Sequence, residues 1–171
     1  MNDNSLPYPC NVVFLPNSNI LFSTEQAIII PVNCVGVMGA GLALYFKELY
    51  PEGFEIYKKQ CRSGELSIGR VSMAVLNNTT KRPLKVFFVP TKDHWHNPST
   101  IEIINASLNA LRNALIDRAL IEGAMESLAI PKLGCGLGQL KWEIVYPLIR
   151  QFISSLDSTV VRNMVIYGQA V

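Results

Sequence analysis

The run Ala27-Ile28-Ile29-Ile30-Pro31-Val32 is apolar at every position. A strand with one wet face alternates apolar and polar residues. A strand that is apolar throughout has to be covered on both faces. This run leads directly into the glycine-rich stretch Asn33-Cys34-Val35-Gly36-Val37-Met38-Gly39-Ala40-Gly41-Leu42-Ala43, and a helical pattern comes next in Leu44-Tyr45-Phe46-Lys47-Glu48-Leu49. The same order recurs where Leu128-Ala129-Ile130-Pro131 runs into Gly134-Cys135-Gly136-Leu137-Gly138. A buried strand leading through a glycine loop to a helix is the unit of a layered fold with helices on both faces of a sheet.

The rest of the chain fits that scheme. Further strands are predicted over residues 11–15, 70–76, 85–89 and 160–167, with the second strand itself at 27–32 and a short buried one at 128–130. Pro16-Asn17-Ser18-Asn19 and Asn77-Asn78-Thr79-Thr80 have turn composition. The helix after the first glycine loop stops before Pro51, and a second runs over 52–63, ended by Gly64. Pro98-Ser99-Thr100 opens a third, whose apolar residues Ile101, Ile104, Leu108, Leu111 and Leu115 lie on one face up to about Gly123. A fourth covers 142–153, with Pro147 as a kink site. The expectation is an α/β chain, a three-layer α/β/α sandwich around a largely parallel or mixed central sheet, with residues 1–171 forming one domain.

Composition narrows the class. A chain of 171 residues that is 49% hydrophobic has enough apolar surface for a substantial core. No apolar run reaches the ~18 residues of a membrane span. Met1-Asn2-Asp3-Asn4 lacks the basic start of a secretory signal. A soluble, cytoplasmic monomer is expected. The net charge of +2 does not by itself argue for nucleic acid. It allows a local basic rim, with Lys81, Arg82, Lys85, Lys92 and Lys132 expected on the loop side of the sheet. Cys10, Cys34, Cys61 and Cys135 form no CxxC pair, so they read as free thiols rather than zinc ligands. No cofactor or metal site is expected. His94-Trp95-His96 lacks the carboxylate or thiolate company that a metal site needs and reads as a rim. Trp95 has the chemistry to stack on an exposed base, or equally to pack in part against the protein. Cys135, between two glycines, reads as a small filler of its loop.

In open α/β sheets ligands bind beyond the carboxyl ends of the strands. Two glycine loops there present outward-pointing N–H groups and allow close approach, which suits a diphosphate held from both sides. The first loop has Gly36, Gly39 and Gly41 and fits neither the dinucleotide fingerprint nor a P-loop. Ordinary dehydrogenase and ATPase readings are therefore weak.

Three blocks carry a more specific resemblance. Pro31 through Ala43 resembles the first ligand loop of macro domains, which bind ADP-ribose. Phe88-Val89-Pro90-Thr91-Lys92-Asp93-His94-Trp95 and Ile130 through Trp142 resemble two further blocks of one subgroup. That subgroup holds the terminal ADP-ribose protein glycohydrolase and the DarG antitoxins, whose macro domain removes ADP-ribose from thymidine bases in DNA. The resemblance runs from about Val12 to Tyr167.

It implies a macro-domain fold and a set of roles. Lys92 matches the catalytic lysine, and Asn33 the asparagine that meets the ribose bearing the scissile bond. Val37, Met38, Gly39, Ala40 and Gly41 match the first diphosphate loop, and Gly134, Cys135, Gly136, Leu137 and Gly138 the second. Thr91 accompanies Lys92. Asn19 and Ile20 stand where many macro domains read adenine, and Tyr167 matches an aromatic near that base. The implied partners are ADP-ribose and ADP-ribosylated single-stranded DNA. One departure bears on substrate: the protein-directed glycohydrolase has an acid where this chain has Gly138, whereas DarG macro domains have glycine. The resemblance thus implies a DNA-directed glycohydrolase. A non-catalytic ADP-ribose reader, and hydrolysis on protein carboxylates or on ADP-ribose 1″-phosphate, are the alternatives.

Overall fold

The computed structural model describes residues 9–77 and 82–168. Its strands are β1 (Asn11–Leu15), β2 (Ala27–Val32), β3 (Ser72–Leu76), β4 (Leu84–Pro90), β5 (Met125–Pro131) and β6 (Val161–Tyr167). Its helices are α1 (Gly41–Leu49), α2 (Pro51–Ser63), α3 (Ile101–Glu122) and α4 (Trp142–Ser154). The strands form one sheet of order β1-β6-β5-β2-β4-β3, parallel throughout except for β3, which runs antiparallel to β4 at one edge. The mixed three-layer sandwich is the architecture expected.

The side chains of β2 alternate between two cores. Ala27 and Ile29 join Phe87 and Val89 beneath α3 and α4, where Leu108, Leu111, Ile149 and Phe152 complete the packing. Ile28, Ile30 and Val32 point the other way, joining Val86, Phe88, Phe46 of α1 and Tyr57 of α2. A period of two on a strand covered from both sides produces the unbroken apolar run of the sequence.

The ends of elements obey local chemistry. The Thr100 hydroxyl accepts from the Ile103 N–H at 3.3 Å, capping α3 as its sequence foretells. Pro51 occupies the first turn of α2, where its missing N–H costs nothing, and Gly64 ends that helix at φ +74°. Pro147 is held inside α4 without ending it. β5 begins earlier than its apolar run suggests, because Met125 and Ser127 pair with Val161 and Asn163 of β6. Of the turn Asn77-Asn78-Thr79-Thr80, only Asn77 is among the described residues, and Lys81 lies outside them.

Prolines shape the middle of the sheet. β2 pairs with β4 along its whole length, but with β5 only at Ala27↔Leu128 and Ile28↔Ala129. Beyond that point Pro31 and Pro131 offer no N–H to a ladder. The two strands part at their carboxyl ends, and the opening between them lies where α1 leaves on one face and α4 succeeds β5 on the other.

Candidate functional site

That opening is a cleft of about 740 Å³, within the range of small-molecule sites. Pro31 and Val32 of β2, Asn33 just after it, Pro131 at the end of β5 and Lys132 just after it form its floor, and the two glycine loops form its walls. Thr91, Lys92, Trp95 and His96, directly after β4, close one end.

The first wall is a helix start without a side-chain cap. Ala40 is extended and offers no capping group to α1, and the first backbone bond of the helix is from the Leu44 N–H to the Ala40 carbonyl at 3.3 Å. Gly41 sits at φ +56°, a region open to glycine at little cost. Gly39, Ala40, Gly41, Leu42 and Ala43 all line the cleft. The N–H groups of a first helical turn carry partial positive charge and suit a phosphate.

The second wall is tied through its carbonyl groups. Within it the Gln139 N–H donates to Gly136 O at 2.9 Å and the Leu140 N–H to Gly134 O at 3.0 Å. The Ser99 N–H, from the approach to α3, donates to Gly138 O at 3.0 Å. Gly136, Leu137 and Gly138 between these ties face the cleft. A Cβ on Gly136 would meet nothing within 4 Å. A Cβ on Gly138 would lie 2.8 Å from the Gly134 carbonyl carbon, and nearer still to that carbonyl oxygen and to Ser99 Oγ. This backbone therefore leaves no room for a side chain at 138, acidic or otherwise.

Asn33 is gripped from several directions. Its Oδ1 accepts from the N–H groups of Val35 at 3.1 Å and Val37 at 3.3 Å, and its Nδ2 donates to Val37 O at 2.7 Å. The hydroxyl of Tyr57, wholly buried on α2, reaches both Asn33 O at 2.8 Å and Asn33 Oδ1 at 2.9 Å. The carboxamide thus cannot turn over, and it holds the loop that begins at Cys34. Sequence reasoning did not find Tyr57. Its only signal is a buried tyrosine on a helix, and the partner is 24 residues away.

Lys92 is 9% exposed, and its Nζ donates to Leu137 O, in the second loop, at 3.0 Å. Burial holds its ammonium below the usual 10.5. Backbone ties fix it on both sides, Thr91 N–H to Val32 O at 2.9 Å and Cys34 N–H to Asp93 O at 3.0 Å. The only charged residues among the described lining are Lys92 and Lys132.

The structure gathers Lys92, Asn33, Thr91, Val37, Gly39, Ala40, Gly41, Gly134, Gly136, Leu137 and Gly138 around the cleft. The other candidates stand elsewhere. Met38 is buried in the core beneath α1 and α2. Cys135 packs against the opposite core, and burial pushes its thiol up to about 11, so it is not a thiolate at neutral pH. Ile20 is buried and Asn19 caps the 3-10 turn Ile20–Phe22, its Oδ1 accepting from the Leu21 N–H at 2.9 Å. Tyr167 is buried at the end of β6 and donates to the Glu25 carboxylate at 2.9 Å. Asn19, Ile20 and Tyr167 share the carboxyl edge of the sheet with the cleft but lie beside it.

The expected basic rim is only partly there. Lys132 lines the cleft. Lys85 stands at the start of β4, at the opposite edge of the sheet, paired with Glu122 of α3 at 2.8 Å, and Arg82 precedes the same strand start. Their positions at or before the start of β4, rather than after its end, put them at the opposite end of the sheet from the cleft. His94 and His96 meet through their Nδ1 atoms, and the described residues contain no group of three or more potential metal ligands.

Residues 29–149 match the family model of the macro domain. The chain is 40% identical over 129 residues to the DNA ADP-ribosyl glycohydrolase of Mycobacterium tuberculosis, covering 75% of this chain and 35% of that protein. To the enzyme of the same name from Thermus aquaticus it is 35% identical over 139 residues, 81% of this chain and 37% of that protein. The chain thus spans a little over a third of the length of these relatives. Among solved structures, the macrodomain of Mycobacterium tuberculosis DarG superposes with a TM-score of 0.78 at 34% identity, over 92% of this chain and 97% of that one. Thermosipho africanus DarTG in complex with ADP-ribose superposes with a TM-score of 0.80 at 29% identity, over 92% of this chain and 41% of that one. With its two glycine walls on either side of a parted β2 and β5, the chain belongs to the macro domain family.

Proposed function

We propose that this chain is a glycohydrolase that binds ADP-ribose in the cleft and removes it from thymidine bases of single-stranded DNA. The observation that carries the reading is Lys92: a buried amine, held at the cleft end by Leu137 O, in a lining with no carboxylate among the described residues. A module that only recognises ADP-ribose has no use for a desolvated lysine at the end where the sugar's leaving group departs. Relatives named DNA ADP-ribosyl glycohydrolase at 35–40% identity point the same way.

In this reading the diphosphate lies between the first turn of α1 and the crest of Gly136, Leu137 and Gly138, held by N–H groups. Asn33, locked by Tyr57, positions the distal ribose. The neutral amine of Lys92 attacks the anomeric carbon as its bond to the base nitrogen breaks, and the base leaves with a proton. Water then cleaves the lysine–sugar adduct, restoring the amine and releasing ADP-ribose. Burial favours the neutral amine, which is the nucleophilic form. Because the backbone excludes a side chain at 138, no carboxylate can assist from that position.

The same reading takes residues 1–171 as a single macro domain acting as a monomer in the cytoplasm. Its support is one continuous sheet with two cores, and no helix among the described residues is long and apolar enough to cross a membrane.

The test compares ADP-ribosylated single-stranded DNA with ADP-ribosylated protein as substrates. Release of ADP-ribose from the DNA, lost in Lys92→Ala while free ADP-ribose still binds within a few-fold, is the expected result. Lys92→Arg keeps a cation but cannot form the adduct, so it should be as inactive as the alanine variant. Turnover by Lys92→Ala at the unaltered rate, or release from protein alone, would overturn the assignment.

A further inference from the structure

Trp95 is 57% exposed and belongs to neither core, so packing does not account for it. It is held in place nonetheless. The Asp93 carboxylate accepts from the His94 N–H at 2.7 Å and from Asn97 Nδ2 at 2.9 Å, and the Asn97 N–H donates to His94 O at 3.2 Å. These bonds close a tight turn directly after Lys92. The turn presents three rings together: the Trp95 ring lies 5.6 Å from that of His94 and 5.3 Å from that of His96, tilted at 42° and 49°. Trp95 and His96 line the cleft beside Lys92, which in the proposed function is where the aglycone of a bound ADP-ribosyl group leaves.

We propose that Trp95, supported by His94 and His96, is a stacking platform for the nucleobase that neighbours the ADP-ribosylated one. The inference rests on the proposed function and adds the part of the site that takes the strand. A rigid, exposed indole offers a π-face to any base without reading its edge. Such a face is reachable only by a base that is not paired and stacked in a duplex, so the platform selects single strands. The charges agree: the lining offers Lys132 to a phosphodiester, and the carboxylate of the turn, Asp93, is engaged by its own loop. An aromatic side chain of an ADP-ribosylated protein would be the competing occupant.

The experiment compares kcat/KM on a single-stranded pentanucleotide carrying one ADP-ribosylated thymidine with that on the ADP-ribosylated nucleoside alone. The unaltered protein should prefer the pentanucleotide. Trp95→Ala should lower the ratio of the two about tenfold, and Trp95→Phe, which keeps a ring, should retain most of it. A second readout needs no turnover. The chain has two tryptophans, so Trp142→Phe leaves Trp95 as the sole indole, and unmodified oligo-dT should quench its emission. A ratio unchanged in Trp95→Ala, with the pentanucleotide still cleaved, would overturn the platform and leave the proposed function standing. Quenching by oligo-dT in a protein that cleaves neither substrate would support the platform and overturn the function. Quenching by ADP-ribosylated protein but not by oligo-dT would overturn the platform in favour of the peptide.

Discussion

Gly138→Ala isolates how tightly the second glycine loop is built. The added Cβ would stand 2.8 Å from the Gly134 carbonyl carbon and nearer to Gly134 O and Ser99 Oγ. Ordinary contact between carbon atoms is about 3.5–4.0 Å, so backbone has to move by roughly 1 Å. The Ser99 hydroxyl is buried without a hydrogen-bond partner among the described residues and can rotate away, but the Gly134 carbonyl cannot, since it accepts from the Leu140 N–H at 3.0 Å. Overpacking of this kind costs about 1–3 kcal/mol. For a chain of this size that lowers Tm by roughly 3–10 °C. Displacing Gly138 also strains its bond from the Ser99 N–H and shifts the crest that faces the cleft, so ADP-ribose affinity should fall along with stability. Gly136→Ala is the control: its Cβ meets nothing within 4 Å, and its stability should stay within about 0.5 kcal/mol of the unaltered protein. In a Ser99→Ala background Gly138→Ala should recover only part of its loss. Thermal melts and calorimetric titration with ADP-ribose measure both quantities. If Gly138→Ala melts and binds like the unaltered protein, the loop is not wedged as described, and nothing then bars an acid from position 138.

Two further predictions concern Tyr57, behind the cleft, and Lys92, in its lining. Tyr57→Phe removes a buried hydroxyl that serves two acceptors of Asn33, which should cost about 1–3 kcal/mol; it should also speed amide exchange at Val35 and Val37, and unchanged protection there would show that Tyr57 does not hold the loop. Lys92→Met should raise Tm at neutral pH. Burial lowers the native pKa of Lys92, so between that lowered value and 10.5 the unfolded chain binds more protons and stability rises with pH. The advantage of the methionine variant should therefore narrow as pH climbs through that window, and an advantage that widens would refute the role given to burial.

Much of the architecture was written in local patterns. The unbroken apolar run of β2, the spacing of Ile101 to Leu115, the cap at Thr100 and the stops at Pro51 and Gly64 each name a local conformation from residues close in sequence. The two glycine loops and Lys92 were legible for the same reason. Each comes directly after a strand, and the loops that leave the carboxyl ends of parallel strands gather at one edge of the sheet. That rule also separates the errors. Arg82 precedes β4 and Lys85 stands at its start, so they sit at the far end of the sheet, however basic they are.

The contacts between elements were decided only by the tertiary structure. Met38 and Cys135 turn into the two cores while Gly39, Gly134 and Gly136 face the cleft. The parting of β2 from β5 comes just ahead of Pro31 and Pro131, which are far apart in the chain. The locked amide of Asn33 depends on a hydroxyl from α2, and the bareness of position 138 depends on Ser99 and Gly134. Local sequence sets which conformation each segment prefers, because propensity and periodicity act over a few residues. Which side chains meet is set by how distant segments close-pack, and that information exists only once the chain has folded.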